Sequence, residues 1–171
     1  MVHNLSDILR YSLGDSRESV TIREEIEITR KYFEIQKLHY PGRIILLWDY
    51  DEDVLNYKII RFVFQPLIEN SIKYGLVKDQ DRCLIRIKIQ EKNDVIKFWI
   101  LDTGHGMSKE IKEKLRQSLL EEQGEHIGLR NTNKRLILSY AGNPGLVIHS
   151  VKERGTVISF QIPKNEGGSH E

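Results

Sequence analysis

The chain has 171 residues, the usual length of one compact domain. A chain of this length can bury a hydrophobic core without disulfides or structural metals. Its 26 Lys and Arg residues nearly balance its 25 Asp and Glu residues, so it lacks the basic excess that non-specific binding to nucleic acid or an anionic membrane needs. A single cysteine, Cys83, excludes an intrachain disulfide framework and a Cys-rich zinc site. No apolar run is long enough to span a bilayer and no secretory signal opens the chain, so we expect a cytoplasmic setting.

The first forty residues predict two helices. Apolar residues recur on one stripe over residues 5–13, and Gly14 is well placed to end that helix. A second helix is predicted to begin at Thr21, because Glu24 follows three residues later and the pair forms a capping box. Pro41 ends it.

The next segment mixes a strand with a helix. Residues 43–50 are apolar and predict a strand, and residues 57–74 predict an apolar helix that Gly75 ends. Pro66 lies inside this helix and would remove a backbone hydrogen bond, so we expect a kink or a fresh helical start there.

The remainder of the chain predicts four strands and two helices. Alternating apolar residues over 84–90 and an apolar run over 95–101 indicate two strands. After a first helix, residues 131–140 predict a second, and residues 146–151 and 156–162 predict a final pair of strands.

In residues 65–75 several polar side chains lie on one face of the predicted helix. Asn70, Lys73 and Tyr74 share that face and offer an amide oxygen suited to Mg²⁺, an ammonium suited to a phosphate, and a ring that can stack on a base. Glu69 lies one step round the helix and could orient a water or a nucleophile. A solvated polar face with a Glu69–Lys73 ion pair is the alternative interpretation.

The segment 102–107 follows directly after an apolar strand. The Asp102 carboxylate can accept a hydrogen bond from the exocyclic amine of adenine, and Met107 offers a soft apolar wall. Gly104 and Gly106 let backbone approach a ligand without Cβ atoms in the way. An ordinary glycine turn between a strand and a helix is the alternative.

Two further segments carry weaker signals. Residues 124–131 form a glycine-bearing loop that leads into a helix, which is a natural anion site because the first-turn amides are unpaired; simple helix capping is the alternative. In residues 154–160, Thr156 at the head of the last strand could hold a water beside a base, and a hairpin turn is the alternative.

These four segments, in this order and spacing, resemble the N, G1, G2 and G3 boxes of the ATP-binding domain shared by sensor histidine kinases, gyrase, Hsp90 and MutL. Their particular residues, together with those of segments 5–13 and 24–33, resemble the LytS/YesM type of sensor histidine kinase. The resemblance implies an α+β fold of the Bergerat ATP-binding type. Such a fold is a two-layer α/β sandwich whose mixed, mainly antiparallel sheet is covered by helices on one face.

The resemblance also implies three parts. Residues 1–40 would be the end of a dimerisation and phosphoacceptor region with a connecting helix, residues 41–163 the ATP-binding catalytic domain, and residues 164–171 a mobile tail. In this family the phosphoacceptor histidine lies upstream in an Asn-Pro-His-Phe-type motif, which this sequence lacks. We therefore expect a longer parent, an integral membrane protein, with this part in the cytoplasm and without membrane contact of its own.

The resemblance assigns roles to matched residues of the N box. Asn70 would bind the Mg²⁺ that bridges the ATP phosphates, and Lys73 would reach a phosphate. Tyr74 would lie near the nucleotide, and Glu69 would be the catalytic acid/base residue.

The resemblance implies that residues of the G1, G2 and G3 boxes contact the remaining parts of the nucleotide. Asp102 would read the adenine amine, with Thr156 sharing its water, and residues 108–125 would form or flank a mobile lid. The remaining ATP contacts would come from Gly104, Gly106 and Met107 around the adenine and from Ile127, Gly128, Leu129 and Asn131 around the phosphates.

The implied function is ATP-dependent phosphorylation of a histidine and then of a response-regulator receiver domain, with ATP and Mg²⁺ as cofactors and a homodimeric full-length protein. No nucleic-acid partner is expected. Two alternatives keep the fold: an ATPase clamp of the gyrase, Hsp90 or MutL kind, and a degenerate nucleotide-sensing docking module.

Overall fold

The structure is a computed structural model that describes residues 19–78, 81–120 and 127–164. The helix expected over residues 5–13, the end of the expected lid at 121–125 and the tail from residue 165 lie outside the described residues. Lys164, which we expected to begin the mobile tail, is held in place, because its amide donates to the Asp94 carbonyl at 2.9 Å.

The elements follow one another in a β-α-β-β-α-β-β-α-α-β-β order, with one turn of 3₁₀ helix at Glu52–Asn56. In chain order they are β1 (Ser19–Thr21), α1 (Ile22–His39), β2 (Ile44–Tyr50), β3 (Lys58–Ile60), α2 (Phe64–Gly75), β4 (Cys83–Lys92), β5 (Val95–Asp102), α3 (Lys109–Leu120), α4 (Ile127–Ser139), β6 (Val147–Val151) and β7 (Gly155–Pro163).

The main sheet has five strands in the order β2-β4-β5-β7-β6. Strand β2 runs parallel to β4, and the other neighbours are antiparallel, so the predicted mixed, mainly antiparallel sheet is confirmed. One register row crosses all five strands through Leu46, Ile85, Asp102, Thr156 and Ser150. This row places the end of β5 at the centre of the sheet, where the predicted site lies.

The helices cover one face of the sheet. In β4 the alternation puts Ile85, Ile87 and Ile89 inward with no exposed surface, and Arg86 points to the opposite face and is exposed. Helix α2 packs on β4, β5 and β7, and α3 packs on β6. Burial of this inner face supplies the main driving force for the fold, and the expected two-layer architecture is confirmed.

Helix α1 begins as the sequence predicted. The Thr21 hydroxyl accepts the amide of Glu24 at 3.2 Å, and the Thr21 amide donates to the Glu24 carboxylate at 2.7 Å. Both bonds satisfy amides that would otherwise be unpaired at the helix start, so the capping box is present.

The predicted helix over residues 57–74 is wrong in its first half. Residues 58–60 form β3, which pairs antiparallel with β1, and the helix begins only at Phe64. Pro66 therefore lies in the first turn, where no intrahelical partner for its missing N–H is needed. The apolar run failed to separate the two elements because buried Ile59 and Ile60 look the same on a strand or a helix.

Helix α4 also differs from the prediction, because the described helix is already formed at Ile127 rather than at Asn131. Gly128 and Leu129 are therefore helical and not part of a loop. Among the described residues, no helix is long and apolar enough to cross a membrane.

Candidate functional site

Asp102 is held rigidly at the end of β5. Its Oδ1 accepts the amide of Gly104 at 3.0 Å and the amide of Thr156 at 3.1 Å. Burial raises the pKa of the Asp102 carboxyl above its ordinary value, and the hydrogen bonds from these amides act in the opposite direction. Both amides donate to Oδ1, and a hydrogen bond from the Ser71 side chain also lowers the pKa of this carboxyl.

Asp102 lies beside the carboxyl end of α2. A Cβ added to Gly104 would lie 2.5 Å from the Gly75 Cα and 3.0 Å from Asp102 Oδ1. The loop after β5 therefore presses directly on the last residue of α2, and only glycine permits that approach. Asp102 and the helix that carries Asn70 thus border the same region of the molecule.

The two predicted glycines serve backbone packing as well as any ligand. Gly106 has a φ of +63°, and a Cβ there would lie 2.1 Å from the Val151 carbonyl oxygen. From the sequence we expected Gly104 and Gly106 to permit the approach of a ligand. In the structure the close neighbours are α2 and the end of β6, and this contact holds the loop in place.

Ser150, which was not predicted from the sequence, joins the predicted residues around Asp102. Its hydroxyl lies 2.9 Å from the Thr156 hydroxyl and accepts the amide of buried Met107 at 2.8 Å. Thr156 therefore shares its hydroxyl with a protein partner as well as offering it to a water. The signal was present, because Ser150 is a polar residue at an inward position between exposed His149 and Val151 of β6.

The second group of predicted residues lines a cavity of about 450 Å³ between α2 and α4. This α2–α4 cavity is lined by Pro66, Glu69, Asn70, Lys73, Ile127, Gly128 and Leu129. Its volume falls within the range of small-molecule sites. Exposed Asn131 and half-buried Tyr74 do not line it, although both were predicted to lie near the nucleotide.

Asn70 is the most informative residue of the α2–α4 cavity. Its side chain is 6% exposed, and its buried Nδ2 has no hydrogen-bond partner. An unsatisfied buried polar atom costs about 1–3 kcal/mol, so its retention here points to a ligand that completes it. The interpretation of Asn70 as part of a merely solvated face is wrong.

Glu69 does not pair with Lys73. Its Oε1 accepts the Tyr32 hydroxyl at 2.9 Å and the Gln65 amide at 3.1 Å. The Lys73 ammonium lies 5.2 Å from the ring centroid of Tyr74, and within the described ranges it has no carboxylate partner. The positive charge of Lys73 is therefore available to an anion at the edge of the cavity.

The two groups of site residues are joined by α2. The helix carries Asn70 and Lys73 on its cavity side and touches Gly104 through Gly75 at its end. A molecule with a base near Asp102 and an anionic chain near Asn70 would run along this helix.

Two other residues that sequence reasoning missed hold α2 and the loop after β5. The Glu25 carboxylate of α1 accepts hydrogen bonds from the amides of Phe62 at 3.0 Å and Val63 at 2.7 Å, and so caps α2 from outside the helix.

The His105 side chain forms hydrogen bonds with Asp81 at 2.9 Å and with Glu153 at 3.3 Å. These hydrogen bonds raise the pKa of the His105 imidazole.

A separate cavity of about 400 Å³ lies on the outer face of the sheet. Its outward-facing wall residues include Leu84, Arg86, Leu101 and Val157, and it contains no residue of α2. Asp102 and Thr156, both predicted to contact the nucleotide, also line it, so this cavity borders the predicted adenine residues and is separate only from the α2–α4 cavity. In the part of the chain that the structure describes, no group of three or more His, Cys, Asp or Glu side chains could hold a metal ion.

Comparison with known proteins identifies the class. The family described as histidine kinase-, DNA gyrase B-, and HSP90-like ATPase matches residues 56–166, and the family described as histidine kinase matches residues 1–44. The chain belongs to the histidine kinase-, DNA gyrase B- and HSP90-like ATPase family, and the resemblance stated from its sequence motifs is confirmed. This family membership implies ATP binding.

The curated relatives are sensor kinases. The chain is 35% identical over 167 residues to the sensor histidine kinase YesM of Bacillus subtilis and 31% identical over 169 residues to the sensor protein kinase HptS of Staphylococcus aureus. These alignments cover 97% and 98% of this chain but only 28% and 32% of those proteins. The chain thus spans about a third or less of their length.

Solved structures agree on the fold. The catalytic domain of histidine kinase ThkA superposes with a TM-score of 0.65 at 19% identity, covering 86% of this chain and 96% of that one. The Acinetobacter baumannii histidine kinase AdeS superposes with a TM-score of 0.63 at 16% identity, covering 96% and 77%.

Proposed function

We propose that this chain is the ATP-binding catalytic part of a two-component sensor histidine kinase and positions the γ-phosphoryl group of ATP for transfer to a histidine. The observation that carries the proposal is the buried, unsatisfied amide of Asn70 in the α2–α4 cavity. Family membership supports ATP as the ligand that completes it.

In this proposal Asp102 recognises the adenine base through a hydrogen bond. Its Oδ1 is occupied by two backbone amides, which orient Oδ2 to accept the exocyclic amine of the base. The Thr156 hydroxyl holds a water shared between Asp102 and the base while keeping its bond to Ser150. Gly104, Gly106 and Met107 form the loop against which the base lies.

The phosphates lie on the side of Asn70 and Lys73. The residues fit a hydrated Mg²⁺, because this ion takes few protein oxygens and Asn70, which lines the cavity, carries an amide oxygen of the required kind. When bound, Mg²⁺ neutralises part of the phosphate charge. Lys73 contributes an ammonium to a phosphate, and Ile127, Gly128, Leu129 and Asn131 supply the first described turn of α4 beside the chain of phosphates.

Glu69 is the proposed acid/base residue toward the acceptor histidine. Its carboxylate lies on the exposed edge of the α2–α4 cavity, where an incoming imidazole could reach it. Phosphoryl transfer depends mainly on positioning and charge stabilisation, so the contribution of Glu69 is to hold the acceptor and its proton.

The proposal extends to the parent protein. Residues 1–40 would belong to the dimerisation and phosphoacceptor region, and residues 41–163 to the catalytic domain. The parent would be a homodimeric integral membrane protein, with this domain in the cytoplasm, that phosphorylates a response-regulator receiver domain. The relatives named as sensor kinases favour this function over an ATPase clamp or a degenerate docking module.

Calorimetric titration of the chain with ATP and with GTP, each with Mg²⁺ or with a chelator, tests nucleotide binding. We expect Mg²⁺-dependent binding of ATP and much weaker binding of GTP. Transfer is tested by adding γ-labelled ATP and a separate acceptor domain carrying an Asn-Pro-His-Phe motif. Acid-labile, alkali-stable label on the acceptor supports the proposal, and the absence of ATP binding would overturn it.

A further inference from the structure

We infer that Tyr32 of α1 is a positioning residue for Glu69, so that α1 sets the orientation of the carboxylate beside the α2–α4 cavity. This inference rests on the proposed function, in which Glu69 meets the acceptor histidine. Tyr32 itself touches neither nucleotide nor acceptor, and it acts through Glu69 alone.

The hydrogen bond between the two side chains is well defined. The Tyr32 hydroxyl lies 2.9 Å from Glu69 Oε1, and Tyr32 is 9% exposed, so its ring has little freedom. Burial and the Glu69 carboxylate raise the pKa of the Tyr32 phenol, and the hydroxyl therefore keeps its proton and donates.

Glu69 needs such a partner because it lies on an exposed part of α2. An unrestrained glutamate on a helix surface samples several rotamers, and only some of them would point toward an acceptor. Tyr32 and Gln65 both donate to Oε1, which selects one orientation and leaves Oε2 for the reaction.

Helix α1 makes a second contact with α2 on the same side. Glu25, seven residues before Tyr32 and therefore on the same helix face, caps the first turn of α2. Helix α1 thus contacts α2 at its first turn and again at Glu69. A displacement of α1 would therefore change the hydrogen bonds at both points.

The Tyr32–Glu69 bond also joins two separately matched segments. Tyr32 lies within residues 1–44, which match the histidine kinase family, and Glu69 lies within residues 56–166, which match the ATPase family. A change that begins in the first segment therefore has a direct, two-residue route to the proposed acid/base group.

The Tyr32→Phe variant removes only the donating hydroxyl. We expect its rate of phosphoryl transfer to the acceptor domain to fall about tenfold while its ATP affinity stays within about twofold of the parent chain, since orientation and not binding is lost. In the Glu69→Gln background the same change should have no further effect.

Tyr140→Phe is the matched control, because Tyr140 is 8% exposed and its hydroxyl accepts the Ile60 amide at 3.1 Å, away from the site. It should lower stability but leave the rate of transfer unchanged. An equal loss of rate in Tyr140→Phe would show a general effect of destabilisation and overturn the inference.

A measurement that does not depend on catalysis separates this inference from the proposed function. The ¹³C carboxyl resonance of Glu69, assigned by its absence in Glu69→Gln, should move in Tyr32→Phe and stay in place in Tyr140→Phe. If it stays in place in both, Tyr32 does not hold Glu69, whatever the enzyme activity. If it moves but Glu69→Gln transfers phosphate at the full rate, the proposed role of Glu69 fails, and the role of Tyr32 in catalysis fails with it.

Discussion

The Asp102 carboxylate accepts the backbone amide of Thr156 across 54 positions of sequence, at 3.1 Å. Strands β5 and β7 are neighbours in the sheet, and Asp102 and Thr156 are register partners within it. The sheet therefore fixes the carboxylate before any ligand arrives, and an adenine amine would meet an acceptor that has no rotamer freedom left to lose.

The Asp102→Asn substitution tests whether Asp102 recognises the adenine base. An amide nitrogen would replace one carboxylate oxygen, so the base amine would meet a donor. We expect ATP affinity to fall by about 1–3 kcal/mol, and preference for ATP over GTP to disappear, in calorimetric titrations. Asp94→Asn, in the turn at the far end of β5, should bind like the parent chain. Unchanged ATP affinity in Asp102→Asn would remove Asp102 from this role.

The Asn70→Ala substitution tests the Mg²⁺ site. The variant loses the amide oxygen that we propose as a ligand, so ATP affinity should become the same with Mg²⁺ and with a chelator. The affinity measured with Mg²⁺ should fall at least about tenfold. Asn56→Ala, an exposed position on the 3₁₀ turn, serves as the control. A Mg²⁺ effect that persists in Asn70→Ala would place the ion elsewhere.

The Glu25→Ala substitution tests the cap that α1 places on α2. Glu25 has no exposed surface, and its removal would leave the Phe62 and Val63 amides without their acceptor. We expect a loss of about 3 kcal/mol in the free energy of unfolding, measured by urea denaturation. Exposed Glu27 lies on the same helix, and Glu27→Ala should change stability by less than about 0.5 kcal/mol. Equal effects of the two substitutions would contradict a capping role.

The His105 contacts predict a pH dependence of stability. Because hydrogen bonds to Asp81 and Glu153 raise the folded-state pKa of His105 above its ordinary value of 6.5, its stabilising contribution is complete below that value and is lost as pH rises through the folded-state pKa. Urea denaturation should therefore show His105→Gln less stable than the parent chain at about pH 6 and nearly equal to it at about pH 9.

His149→Gln is the control for that prediction. His149 is exposed, and it forms no ion pair within the described part of the chain. The stability of this variant should follow that of the parent chain at both pH values. A constant difference between His105→Gln and the parent chain across the pH range would mean that the imidazole charge plays no part.

Local spacing predicted the elements whose ends are decided within a few residues. Thr21 and Glu24 located the start of α1, and the alternation over 84–90 located β4 and its buried face. The same reasoning failed at residues 57–63, because a short buried strand and a helical turn bury isoleucines equally well. Only pairing with β1, which lies about forty residues earlier in the chain, distinguishes a strand from a helical turn here.

The candidate site shows the same division. By spacing alone Asn70, Lys73 and Tyr74 share a helix face, with Glu69 one step round the helix, and the Asn70 and Lys73 side chains pointed to Mg²⁺ and phosphate. The sequence by itself therefore determined the residue types, the order of the four boxes and the faces on which side chains stand. The tertiary structure decided which atoms remain unsatisfied, which loop meets α2, and that Tyr32 rather than Lys73 holds Glu69. Those contacts join residues distant in the chain, and their geometry depends on how strands and helices pack, which no local periodicity encodes.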